Sequence, residues 1–311
     1  MMKPLSIPMF RAVFITAACT QLLLHSAGQI QSKEVFPVNT PTHPVAMTKA
    51  TWLWDTGKIA TEPEEVLSFL RQNDMNLLYL QVKQDQISQT DYRSFLRLAH
   101  ENGVEVHALD GRPEWALLEH YPKLQSFVDW VHQYNRSVEE HERFSGIHLD
   151  IEPYLLPQWK RHRNDVVHEW MEVTSRIVPY IKTSVGLTAG ADLPFWLDII
   201  PGEKFSTPLS TWMINEFDHV TVMAYRNKAT DTDGIVTHVK QELEAASARN
   251  KKVIVAVNIR QTNESEKVSF AKKGKAEMQR QLDIADTHLR PYPSYAGQAI
   301  HDYESWKHAL D

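Results

Sequence analysis

The sequence predicts a single (β/α)8 barrel, also called a TIM barrel, over residues 49–311. From Lys49 onward, short runs rich in Val, Ile, Leu and aromatic residues alternate with longer segments of helical periodicity. This alternation is typical of a parallel sheet covered by helices. Eight such runs are present, and most are continuously apolar, as strands buried on both faces are. Eight strand–helix units in about 260 residues are the number expected of a closed barrel.

Strand and helix segments follow one another in regular order. An open, doubly wound sheet is the alternative, but no Gly-x-Gly-x-x-Gly turn follows the first strand. The predicted strands are Ala50–Trp54, Leu77–Val82, Val104–Leu109, Gly146–Ile151, Ser184–Thr188, His219–Tyr225, Val253–Val257 and Gly297–His301. The predicted helices are Pro63–Gln72, Asp91–Asn102 with Asp91 as N-cap, Leu124–Val138, Asn164–Lys182, Val236–Asn250, Lys275–Leu289 and Ser305–Leu310.

Residues 1–28 have the pattern of an export signal. Lys3 and Arg11 precede a mostly apolar run, Ala12–Leu24, which is too short to span a bilayer, and small residues follow at 26–28. The alternative is a lipobox that ends at Cys19, which would then carry a lipid anchor. Residues 29–48 are polar and dotted with proline, which predicts a linker. We therefore expect a secreted or cell-envelope protein without a transmembrane span.

Composition excludes several classes of partner and cofactor. The net charge is −6 and no segment is strongly basic, so a nucleic-acid partner is not expected. Cys19 is the sole cysteine, so the chain can form neither an internal disulfide nor a cysteine zinc site. Of fifteen histidines, only His148 and His301 fall at predicted strand ends, and His107 lies inside the third strand. We therefore expect no metal and no cofactor.

The fourth predicted strand carries the strongest functional signal, because polar and aliphatic residues alternate along it. His148, Asp150 and Glu152 share one face. The aliphatic face must meet the helices, so the polar face lines the barrel interior near its C-terminal mouth, where barrel enzymes bind substrate. Repulsion between the two carboxylates should raise the proton affinity of one, as general-acid catalysis requires. The alternative is a structural ion-pair network in which His148, Arg260 or Lys83 neutralises the acids.

The segment Gly146-Ile-His-Leu-Asp-Ile-Glu152 resembles the strand-four signature of glycoside hydrolase family 18, the chitinase-like barrels, which reads Asp-Gly-x-Asp-x-Asp-x-Glu. Asp150 falls on the last aspartate of that signature. Ser145 and His148 replace its first two aspartates. His148, as an imidazolium, could pair with Asp150 and hold it ionised.

Two further segments extend the resemblance. Met223 and Tyr225 match the family's strand-six Met-x-Tyr, and Trp306 lies near the position of its sugar-floor tryptophan. The resemblance implies that Glu152 protonates the glycosidic oxygen while the substrate's own 2-acetamido oxygen attacks the anomeric carbon. It also implies that Asp150 orients the acetamido N–H and that Tyr225 hydrogen-bonds the acetamido oxygen.

These features predict an exported glycoside hydrolase that acts on a polysaccharide or oligosaccharide containing N-acetylhexosamine. One alternative is a catalytically weak or inactive carbohydrate-binding barrel. Another is a glycosidase with two protein carboxylates, in which Glu152 faces Asp55, Asp110 or Asp302. The catalytic candidates are Glu152, Asp150 and Tyr225. The candidate substrate-binding residues are Trp54, Asp55, Asp110, His148, Met223, Asn258, Arg260, Asp302 and Trp306.

Overall fold

A computed structural model of the chain describes residues 47–202 and 207–311. Eight parallel strands close into a barrel in chain order, with the last strand hydrogen-bonded to the first. The predicted (β/α)8 fold is therefore confirmed. The predicted export signal, Cys19 and nearly all of the predicted linker lie outside the described residues, and Thr48 begins the first strand. Within those two ranges, no helix is long and apolar enough to cross a membrane.

The strands and helices alternate as the sequence pattern predicts. The strands are β1 Thr48–Leu53, β2 Leu77–Gln81, β3 Glu105–Asp110, β4 Gly146–Leu149, β5 Thr188–Pro194, β6 His219–Met223, β7 Lys252–Asn258 and β8 Tyr295–His301. The helices are α1 Lys58–Thr61, α2 Pro63–Gln72, α3 Gln89–Glu101, α4 Tyr121–Ser137, α5 Pro157–Arg161, α6 Arg163–Pro179, α7 Leu209–Glu216, α8 Ile235–Ser247, α9 Gly274–Leu289 and α10 Tyr303–Lys307.

The largest error of the sequence prediction is in the fifth strand. The predicted segment Ser184–Thr188 begins in a π-helical turn, Tyr180–Val185, that continues α6. The strand itself begins where the predicted segment ends. Gly190 and Asp192 interrupt the apolar pattern of β5, but both face a barrel interior that accommodates a glycine and a buried acid. Asp192 lies beyond the predicted end of this strand but within β5 itself.

Several other element ends differ from the prediction, and α1, α5 and α7 were not predicted. Ser88, not Asp91, is the N-cap of α3, and its hydroxyl oxygen accepts a hydrogen bond from the backbone N–H of Asp91 at 3.1 Å. β4 ends at Leu149, two residues early, although the N–H of Asp150 still donates to the carbonyl of Asp110 at 3.2 Å.

The core has two layers that follow from the strand alternation. Ile147 and Leu149 of β4 pack into the large layer between barrel and helices, while His148 between them faces the interior. Each fully buried aliphatic side chain contributes about 1.5–3 kcal/mol to stability. A smaller apolar cluster fills the interior and is formed by Ala50, Trp52, Leu77, Tyr79, Leu109, Ile254, Ala256 and Ala299.

Candidate active site

The carboxylates of three neighbouring strands gather at the C-terminal mouth of the barrel. Leu149 of β4 pairs with Ala191 of β5, so the next residues, Asp150 and Asp192, lie side by side. Burial raises the pKa of Asp150 well above its usual value, and the charges of Asp192, Glu152 and Asp110 raise it further. These charges act on Asp150 because the four groups converge at this end of the barrel.

Glu152 lies just beyond β4 and is half-buried. Burial raises its pKa, while a hydrogen bond donated by the Tyr154 hydroxyl to Oε1 lowers it, and the net shift is upward. A carboxyl group with a raised pKa holds its proton closer to neutral pH, which is what a general acid needs.

Asp192 was missed as a site residue because the predicted fifth strand was displaced. Its carboxyl is 2% exposed, and Oδ2 accepts a hydrogen bond from Trp52 Nε1 at 3.0 Å. Oδ1 lies 3.0 Å from His148 Nε2, although the two groups are not aligned as a hydrogen bond. Burial, and then the charge of Glu152, raise the pKa of Asp192 well above its usual value.

His148 does not pair with Asp150 as an imidazolium, the role expected of it. It lies one layer below Asp150, faces Asp192 and stacks on Tyr79 with ring centroids 3.8 Å apart. Burial lowers its pKa to about 3, so the ring is neutral at physiological pH and does not hold Asp150 ionised. Residues two apart on a strand are separated by about 6–7 Å, so the side chain across the strand pair is the nearer partner. Its complete burial also keeps it from any substrate.

Tyr225 and Trp54 lie together at the mouth, on top of the interior apolar cluster. Burial raises the pKa of Tyr225, and the charges of Asp192, Asp150 and Glu152 raise it further, which places the phenol beside the carboxylates. The Trp54 indole N–H donates to His301 Nε2 at 3.1 Å, and His301 in turn lies 5.9 Å from the Tyr225 ring.

Other predicted residues surround this centre at strand ends. Met223 and Asn258 are the last residues of β6 and β7, and Asn258 Oδ1 accepts from the backbone N–H of Arg260 at 2.8 Å. Arg260 itself is exposed. Asp302 is buried as the N-cap of α10, where it accepts from the backbone N–H of Ser305 at 2.8 Å. The charge of Asp302 still raises the pKa of Tyr225.

Besides His148, two more predicted substrate-binding residues are not brought into the centre. Asp55 is exposed and accepts from the backbone N–H of Gly57 at 3.1 Å, which closes a local turn. Trp306 is 4% exposed and packs edge-on against Phe69 of α2, with centroids 5.1 Å apart. Its side chain belongs to the layer outside the barrel because α10 turns back over that surface, so it offers no face to a sugar at the mouth.

An aromatic wall that is not among the predicted site residues stands beside Glu152. Tyr154 lies edge-on to Trp196 at 5.0 Å, and Trp159 lies 6.2 Å from Trp196. All three rings are half-buried. Aromatic faces suit the apolar faces of sugars, so this wall is a candidate subsite. Tyr154 could have been found from the sequence, because it lies two residues after Glu152 at the end of β4.

One group of side chains in the described ranges is able to hold a metal ion. It consists of His107, His148 and His219 in the barrel interior below the carboxylates. Glu152 and Tyr225 are not among its members.

The sequence matches no known family model and no curated protein. The fold does match solved structures. A family 18 chitinase from Cycas revoluta, in a complex with allosamidin, is similar with a TM-score of 0.56 at 13% identity, over 84% of this chain and 96% of that one. A mutant Cycas revoluta chitinase in complex with (GlcNAc)4 is similar with a TM-score of 0.54 at 12% identity, over 84% of this chain and 96% of that one. A chitinase from Bacteroides thetaiotaomicron is similar with a TM-score of 0.51 at 11% identity, over 83% of this chain and 90% of that one. The chain therefore has the fold of the chitinase-like barrels of glycoside hydrolase family 18.

Proposed function

We propose that the protein is a glycoside hydrolase that cleaves glycans containing N-acetylhexosamine, with Glu152 as its general acid. The observation that carries this proposal is the convergence of Glu152, Asp150 and Tyr225 at the C-terminal mouth of the barrel. The likeness of the fold to chitinases crystallised with N-acetylglucosamine oligomers supports the substrate class.

The reaction proceeds by substrate assistance. Glu152 transfers its proton to the glycosidic oxygen as the bond from that oxygen to the anomeric carbon breaks. The carbonyl oxygen of the 2-acetamido group attacks the same carbon and forms a cyclic oxazolinium ion. Glu152, now a carboxylate, takes a proton from a water molecule that opens the ring, so the anomeric configuration is retained.

Asp150 and Tyr225 hold the acetamido group during these steps. A carboxyl oxygen of Asp150 accepts from the acetamido N–H and so stabilises the positive charge that develops on the ring nitrogen. The Tyr225 hydroxyl donates to the acetamido oxygen and orients it for attack. His148 replaces an aspartate of the family signature, and Asp192 of β5 provides the acidic neighbour of Asp150 instead.

Aromatic rings build the sugar subsites in this proposal. Trp54 lies at the mouth next to Tyr225 and forms the floor under the reacting sugar, the position that the sequence assigned to Trp306. The wall of Tyr154, Trp159 and Trp196 contacts a neighbouring sugar on the Glu152 side.

Substitution of the acid tests the proposal. Glu152→Gln is nearly isosteric, so the fold should survive while kcat on N-acetylglucosamine tetramer falls by about 10²–10⁴-fold. Glu264→Gln, in the exposed loop after β7, is the matched control and should keep wild-type kcat. Equal turnover by the Glu152→Gln and wild-type proteins would refute the assignment.

Substrate choice separates the proposal from its alternatives. The wild-type protein should hydrolyse N-acetylglucosamine oligomers but not the de-acetylated oligomers or glucose oligomers, and a thiazoline mimic of the cyclised intermediate should inhibit it. Cleavage of a β-glucan without such inhibition would indicate a glycosidase with two protein carboxylates. Binding of the oligomers without any turnover would indicate a carbohydrate-binding barrel.

A further inference from the structure

Three histidines from different strands meet inside the barrel. His107 on β3, His148 on β4 and His219 on β6 each offer a ring nitrogen, and these nitrogens lie within 4.8 Å of one another. The side chains are 3%, 0% and 9% exposed, respectively. None of them takes part in the proposed hydrolysis, because all three lie below the layer of Asp150.

Two glycines make room for these rings. A methyl group at Gly146 would lie 2.6 Å from His107 Nε2, so any side chain there would collide with the imidazole. A methyl group at Gly190 would lie 2.4 Å from His219 Nε2 and 2.7 Å from His148 Nδ1. The last two nitrogens therefore point toward one place in front of Gly190. The interior is shaped around the imidazoles.

Four ring nitrogens of the cluster have no hydrogen-bond partner. Nδ1 of His107, both nitrogens of His148 and Nε2 of His219 are buried and unpartnered. Buried polar atoms without partners cost free energy, so such a cluster needs a ligand that satisfies it. A neutral imidazole carries one lone pair on its unprotonated nitrogen. Three converging lone pairs form a binding site for a cation.

Asp192 supplies the outer partner that metal-bound histidines usually have. Its Oδ1 lies 3.0 Å from Nε2 of His148, which leaves Nδ1 of the same ring directed at the cluster. A metal-binding imidazole typically gives its second N–H to a carboxylate, which fixes the tautomer and orients the ring. A small rotation of either group would align this pair.

We propose that His107, His148 and His219 bind a divalent transition-metal ion of the Zn²⁺ type inside the barrel. Three imidazoles suit Zn²⁺, whereas Mg²⁺ and Ca²⁺ require oxygen ligands. Atoms no more than 4.8 Å apart all lie within about 2.8 Å of a common point, and Zn–N bonds are about 2.0–2.1 Å. Side-chain shifts of about 0.7 Å therefore complete the site. The ion enters from the N-terminal mouth, where His219 begins β6.

Metal analysis of the full-length protein tests this site. The wild-type protein is stripped with a chelator, incubated with ZnCl₂, dialysed and measured by elemental analysis, and we expect one zinc per chain. Zinc at a hundredfold excess over its Kd should raise the Tm by about 5–10 °C, whereas MgCl₂ should leave it unchanged. The X-ray absorption spectrum of the zinc-loaded wild-type protein should show three imidazole ligands bound to the zinc. That measurement does not depend on a variant that folds.

Variants separate the interior site from adventitious surface binding. His107→Gln and His219→Gln should each lose the bound zinc and the rise in Tm. The double variant His100→Gln/His141→Gln removes an exposed pair of rings 6.5 Å apart and should keep both. The proposal is overturned if the wild-type protein retains no stoichiometric zinc. It is also overturned if the surface double variant loses the zinc while folded His107→Gln retains it.

Discussion

Replacement of Gly111 by alanine should damage the site through the backbone of Asp150. Gly111 follows β3, and its N–H donates to the Asp110 carboxylate at 2.9 Å. A methyl group at this position would lie 1.8 Å from the carbonyl oxygen of Asp150. The backbone of Gly111 is not in the left-handed region, so alanine brings no conformational strain and the effect is purely steric.

The size of the effect follows from this overlap. Side-chain methyl carbons essentially never approach other heavy atoms closer than 3.0 Å, so the loop after β3 and the end of β4 must separate by at least about 1.2 Å. Overpacking of this kind costs about 1–3 kcal/mol, or about 2–12 °C in Tm for a barrel of this size. Misplacement of a catalytic group by about 1 Å costs about 10²-fold in rate. We therefore expect kcat to fall about a hundredfold while the protein still folds.

Gly57→Ala is the matched control, since Gly57 lies in a loop at the same mouth. A methyl group there meets the exposed Asp55 side chain at 3.1 Å, and that side chain can move. The measurements are thermal unfolding and kcat on N-acetylglucosamine tetramer for wild type and both variants. If Gly111→Ala and Gly57→Ala behave alike, the close approach of Gly111 to Asp150 does not position the site and our reasoning is wrong.

Three further predictions concern pH, stability and export. Tyr154→Phe removes the hydrogen bond that lowers the pKa of Glu152, so the basic limb of the kcat/KM profile should move to higher pH. Tyr180→Phe, whose hydroxyl donates to Asp129 outside the barrel, should leave the limb in place. Burial raises the pKa of Glu242 from 4.5 to about 7, so this group stabilises the fold less as pH rises through that window. Between pH 5 and pH 8, the free energy of unfolding should therefore fall less in the Glu242→Gln variant than in the wild-type protein, by up to about 3 kcal/mol, as measured by denaturant unfolding at both pH values. An equal fall in the two proteins would contradict the burial argument. Finally, the mature protein should begin after residue 28, or at Cys19 if it is acylated; an intact Met1 on cytosolic protein would contradict export.

The barrel and its central motif could be predicted because both depend on local patterns. Continuous apolar runs separated by helical periodicity fit a parallel sheet covered on its outside by helices. The alternation of Ile147, His148, Leu149 and Asp150 determined which side of β4 faces inward, since the period of a strand is two residues. The same alternation placed Glu152 on the side of Asp150, although β4 ends before Glu152.

The partners of these residues could not be predicted, because they depend on register between strands that are distant in sequence. Asp192 lies beside Asp150 because Leu149 pairs with Ala191, and the apolar pattern alone displaced that strand by several residues. His148 faces Asp192 for the same reason.

The sequence by itself determined the eightfold alternation, the inward-facing acids of β4 and the residue types at the mouth, since each depends on neighbours along the chain. Tertiary structure alone decided which of these residues meet. Barrel closure brought Trp54 to His301 and the three interior histidines to one another, across separations of 247 residues for the first pair. It placed Trp306 in the outer layer, because the course of α10 over the barrel depends on the surface of α2 on which it packs.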